Sequence, residues 1–232
     1  MRAVATAGAE QQYDGQLAVF DDLFAKGDLD QVVNACTTCI AFYDRWFDDA
    51  ARRDGLERRI VAAAGRLAPV PAITQLTALA DAAARHDPAR ANAMIADIEA
   101  RLRTIRWQAG DELPMRARLA AVRATAGDKA QAVVELDQVV TDYEHQREHI
   151  ESMNRADVLV PIAEAYAHAD APAQAEAIYH RALAEAVVNP NSRPRLDDLV
   201  AVALSLSRSG LPLAAALLAE VRAAVRGLGN PW

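Results

Sequence analysis

Apolar residues recur at three- and four-residue spacings through Leu17, Ala18, Phe20, Leu23 and Phe24, and Gly27-Asp28 then interrupts the series. A second series runs through Val32, Val33, Cys36, Ile40 and Phe47. Such spacing gathers apolar side chains on one face of a helix, so each series predicts an amphipathic helix. A third helix is predicted over about 56–67, with Gly55 before it and Pro69-Val-Pro71 after it, and helical pattern resumes over 73–85. The turn His86-Asp87-Pro88 opens a helix from 89 to about 107. The remaining helices read as 112–125, 129–149, 155–168, 172–187, 195–208 and 212–226.

Laid over one another, these helices repeat. With Gly27, His86, Gly127, Asp170 and Gly210 as the turns within successive helical pairs, the residues five later are Val32, Ala91, Ala132, Ala175 and Ala215. Those nine later are Cys36, Ile95, Leu136, Tyr179 and Ala219. Seven before each turn stand Phe20, Leu79, Ala120, Ala163 and Ala203; four before stand Leu23, Ala82, Arg123, Tyr166 and Leu206. Only Arg123 breaks the apolar columns. Ala163, Tyr166, Ala175, Tyr179 and Ala182 alternate small and aromatic residues, and Gly-Asp-Lys-Ala-Gln-Ala at 127–132 forms an inter-helix turn. In these features the chain resembles the tetratricopeptide repeat, a helix-turn-helix unit with small residues where its two helices touch.

The resemblance implies an all-α fold, a right-handed α-solenoid of about five helix-turn-helix repeats that is irregular in its N-terminal half. It covers one domain over 13–229, with an irregular insertion near 47–71 and tails at 1–12 and 230–232. Turn-to-turn intervals are 59, 41, 43 and 40 residues, so armadillo- or HEAT-like stacking is the structural alternative. A non-repetitive helical bundle is another, because 53 alanines produce matches at small positions by chance. The same alanine content, with only 10 Gly and 10 Pro, favours helix throughout and excludes an all-β or disordered chain.

The net charge of −7 opposes contact with phosphate backbones, so no nucleic acid is expected as a partner. No apolar run reaches the roughly 18–20 residues that span a bilayer, and Met1 to Glu10 holds no apolar stretch of signal-peptide length. No membrane association and a cytoplasmic location are expected.

Few residues point to chemistry. Cys36-Thr-Thr-Cys39 has redox or half-zinc-site spacing, but it shares a helical face with Val32, Val33 and Ile40 and predicts two buried, reduced, metal-free thiols. His145-Gln-Arg-Glu148-His149 matches the H-x-x-E-H string of inverted zincins, with Glu220 as a third ligand at plausible separation. That string falls in a polar run, where solvated side chains are expected. No metal site or other cofactor is expected, and helix-terminus His86 and His168 are explained by the helix dipole. Ser205, Ser207 and Ser209 read as helix-end solvation, and Asp14, Asp157 and Asp197 as acids near helix starts. Phosphate-binding glycine loops do not occur in the sequence.

In the resembled family the first helix of each pair lines a concave face. The corresponding positions give Leu17, Phe24, Ile73, Leu76, Val160, Glu164, Val200 and Leu204 as the candidate groove: apolar and small, with acids at its edges. The Lys, Arg and Asn that capture peptide carboxylates in that family are missing at these positions. A non-enzymatic scaffold or adaptor follows, binding a helix or peptide segment of another protein in the groove and depending only weakly on salt. A second copy of the chain, as a homodimer, or the chain's own helix near 56–67 could fill the groove instead. A helical zinc metalloprotein or hydrolase, and a regulatory module of a multi-protein signalling system, are the alternative functions.

Overall fold

The computed structural model describes residues 2–189, 192–211 and 214–227, with side-chain surroundings from Tyr13 onward; the tail at 230–232 and Pro212 lie outside the described residues. Among them every regular element is helical. The helices are α1 (Arg2–Lys26), α2 (Leu29–Arg45), α3 (Ala50–Ala64), α4 (Pro69–Ala84), α5 (Pro88–Thr104), α6 (Ala109–Thr125) and α7 (Lys129–Gln146). After short 3-10 turns at Arg147–His149 and Ser152–Asn154 come α8 (Arg155–His168), α9 (Pro172–Val188), α10 (Ser192–Ser209) and α11 (Ala214–Gly227). The chain divides into two compact units, Met1–Arg90 and Ala91–Trp232, where the sequence pattern predicts one domain over 13–229.

Local chemistry places most helix ends. Asp28 caps α2 by accepting from the Gln31 amide at 2.9 Å, and the Gln31 side chain accepts from the Asp28 amide in return. Asp49 and Asp128 cap α3 and α7 by accepting from the Arg52 and Gln131 amides, without the return bond, and the Asp87 carboxylate accepts from the Arg90 amide. Three expectations shift. Helix α1 starts at Arg2, so residues expected in a tail are helical. Asp49 starts α3 upstream of Gly55, which becomes an interior residue. Pro69 sits at the first position of α4, where its missing N–H costs nothing, so the Pro69-Val-Pro71 run opens this helix rather than preceding it.

In the first unit, α2 packs against α1, α3 and α4, and α3 packs against α4. The segment expected as an irregular insertion is therefore a core element: Leu56 and Ile60 of α3 are fully buried. In the second unit α6 packs on α7 and α8, α8 on α9 and α10, and α10 on α9 and α11. The turns after α6 and α8 share one hydrogen-bond pattern. Gly127 N–H donates to Ala124 O and Asp128 N–H to Arg123 O; Asp170 N–H donates to Ala167 O and Ala171 N–H to Tyr166 O. Gly127 (φ 102°), Asp170 (φ 56°) and Gly210 (φ 67°) all take the left-handed conformation this motif requires. Side chains about one interval apart meet as well: Lys129 pairs with Asp170, Tyr143 hydroxyl donates to Glu185, and Ser205 to Glu164.

Most positions of the apolar columns are buried, with Leu23 and Ala203 half-buried. Ala132, Leu136, Ala163, Ala175 and Tyr179 are fully enclosed, whereas Ala215 and Ala219 of α11 are exposed and Leu217 and Val221 take the buried positions. The register of α11 is displaced by two residues from the sequence alignment. Arg123, the break in the columns, reaches Glu99 of α5 at 2.5 Å and Glu135 of α7 at 2.9 Å. No helix among the described residues is long and apolar enough to cross a membrane.

Candidate partner-binding face

Helix α8 carries Asp157, Val160 and Glu164 at spacings of three and four, which align them along one stripe, and α10 repeats the arrangement with Asp197, Val200 and Leu204. These two helices pack side by side. Val160 is half-buried against the core, whereas Val200 is 45% and Leu204 55% exposed, large apolar side chains left in solvent.

A buried polar chain runs under this stripe. Tyr179 of α9 donates to the Ser205 hydroxyl at 2.7 Å, and Ser205 donates to Glu164 Oε1 at 2.7 Å. Ser205 is buried, so its expected role in helix-end solvation is corrected: it carries the link between α9, α10 and the Glu164 carboxylate. Burial pushes the Tyr179 hydroxyl above its usual value. Glu164, Ala167, His168, Ser205, Arg208 and Ser209 line a cleft of about 320 Å³ between α8 and α10.

At the start of both helices the face turns acidic. The surrounding protein raises the Asp157 carboxyl, and the charge of Asp197 raises it further. Asp198, fully enclosed, is also raised, by burial first; Asn189 Nδ2 donates to it at 2.8 Å and opposes the shift. Arg118 on α6 is lowered by burial, with Glu164 acting against that. Pro161 has no N–H, so the carbonyl of Asp157 lacks the donor that an α-helix normally supplies to it. The helix dipole accounts for Asp157, in the first turn of α8. It does not account for Asp197, which lies beyond the first turn of α10, or for Asp14, in the middle of α1.

The other expected groove residues lie elsewhere. Phe24, Ile73 and Leu76 are buried in the first unit, and Leu17 is half-buried on α1. Ile73 and Leu76 belong to α4, which packs against α2 and α3, and Phe24 to α1, which packs against α2. The zinc string fares no better. Helix α7 ends at Gln146, so His145 and His149 do not continue on one helical face; Glu148 pairs with Arg147, and Glu220 stands 3.8 Å from His180. No group of three or more His, Cys, Asp or Glu among the described residues could hold a metal ion. Cys36 and Cys39 are fully buried on α2, and desolvation pushes the Cys36 thiol up to about 11 and the Cys39 thiol to about 12.

Sequence reasoning missed Ser205, Asp198, Arg118 and Arg208. The available signal was register: Ser205 stands 41 residues after Glu164, one repeat interval away. A second cleft, about 390 Å³, lies among α5, α6 and α7 over Leu102, Leu119 and Val139. Its acids Glu99 and Glu135 are held by Arg123, and Arg116 is held by Asp142 at 2.7 Å, whereas Arg103 lines it without an ion pair among the described residues.

Compared with protein families, with curated proteins and with solved structures, the chain matches none.

Proposed function

We propose that this chain is a non-enzymatic interaction scaffold, built from tetratricopeptide-like helical pairs stacked as a solenoid through its second unit, that binds a helix or peptide segment of another protein on the face of α8 and α10. The observation that carries this reading is the pair Val200 and Leu204, exposed side by side along one stripe of α10 next to half-buried Val160. Exposed apolar side chains grouped on one face, over a cleft with satisfied polar groups, fit a surface completed by a partner. The shared turn motif at Gly127 and Asp170, and the contacts one interval apart, support the repeat. The scattered histidines favour binding over catalysis.

Affinity capture with three forms of the full chain tests the proposal. Leu204→Asp introduces a charge at the centre of the stripe, and Val134→Asp does the same at a 60% exposed position of α7. Proteins retained by the wild type are expected to be lost with Leu204→Asp and kept with Val134→Asp. Retention of the same proteins by both variants would show that the functional surface lies elsewhere.

A further inference from the structure

Several acids elsewhere in the unit are held by arginine. Asp142 has Arg116, Glu99 and Glu135 share Arg123, and Glu185 has Arg147 at 2.6 Å. Asp157 and Asp197 have no ion-pair partner among the described residues, and after burial the charge of Asp197 is what raises the Asp157 carboxyl. Asp198 is buried beside them and held by Asn189, and Pro161 adds an acceptor by releasing the Asp157 carbonyl. Val160, Val200 and Leu204 follow along the same stripes, and His168 and Arg208 stand at the far end, lining the cleft. The face thus carries acids at the helix starts, apolar side chains along its middle, and Glu164 together with His168 and Arg208 at the cleft. Like charges gathered without a counter-charge beside exposed apolar side chains are complementary to a segment that brings cations and apolar groups together.

We infer that this face takes a cationic amphipathic segment of another protein, its Lys or Arg side chains meeting Asp157 and Asp197 while its apolar side chains cover Val160, Val200 and Leu204. The inference rests on the scaffold reading and adds the chemistry of the occupant. An anionic membrane surface would meet the acids unfavourably. A second copy would bring another net charge of −7.

The full chain is titrated with two synthetic peptides of about eighteen residues that share a leucine face, one flanked by lysines and one by glutamates, read by fluorescence anisotropy. The lysine peptide is expected to bind, to weaken about tenfold or more against Asp157→Asn/Asp197→Asn and against Leu204→Ser, and to weaken with added salt. The glutamate peptide is expected not to bind, and the distant control Asp22→Asn/Asp30→Asn to bind the lysine peptide like the wild type. Equal affinity for wild type and Asp157→Asn/Asp197→Asn, with Leu204→Ser still weakened, overturns the charge assignment and leaves the scaffold reading standing. Equal affinity for all variants overturns both. No binding of the lysine peptide, or sedimentation of the chain as a dimer that Leu204→Ser dissociates, overturns the cationic occupant in favour of another filling.

Discussion

Cys36 and Cys39 show how little a two-residue spacing says without its surroundings. Their spacing is that of a redox pair, yet both thiols are enclosed on the apolar face of α2 with Val32 and Ile40, and burial raises them to about 11 and about 12. Because the folded state favours the neutral thiols, their contribution to stability is fully present below the usual thiol value near 9 and is lost as pH rises through the raised values. Iodoacetamide at pH 8 is therefore expected to leave both unmodified in native protein and to label both once denaturant unfolds it; rapid native labelling would place them at the surface. This pair was legible in the sequence because the flanking residues fix the helix face. Arg123 was not: it stands out only as a break in a column of apolar positions, and the reason, ion pairs to Glu99 and Glu135, depends on side chains 24 and 12 residues away.

Between elements, the turns carry the regularity. Gly127 has no neighbour within 4 Å of an added Cβ, so Gly127→Ala meets no clash, yet its φ of 102° is one that alanine adopts poorly. A loss of about 1–2 kcal/mol in chemical denaturation is expected, and an unchanged midpoint would show that the turn relaxes freely. Ala163 and Ala175, both fully buried in the packed pair α8 and α9, are the small positions of one helical pair. Ala175→Leu is expected to overpack this contact by roughly 1–3 kcal/mol and lower Tm by several degrees. Unchanged thermal stability would contradict the register. Helix positions and turns were legible because caps, prolines and apolar spacing are local signals. The two-residue displacement in α11 was not, since counting from Gly210 assumes a turn of constant length, and only burial distinguishes Leu217 and Val221 from Ala215 and Ala219.

At the scale of the molecule, the sequence pattern runs through both units without marking the division at Arg90, because helical periodicity records which face of a helix is covered and not which helix covers it. The same limit explains the groove. Ile73, Leu76 and Phe24 carry the same apolar signature as Val200 and Leu204, yet the first three are covered by neighbouring helices of their own unit and the last two are exposed. The scaffold account is tested most directly by hydroxyl-radical footprinting of the full chain with and without a captured partner. It predicts that oxidation of Val200 and Leu204 falls several-fold on binding while that of Val134 and Val188, exposed on α7 and α9, is unchanged. Protection confined to other residues, with Val200 and Leu204 oxidised as in the free chain, would contradict it.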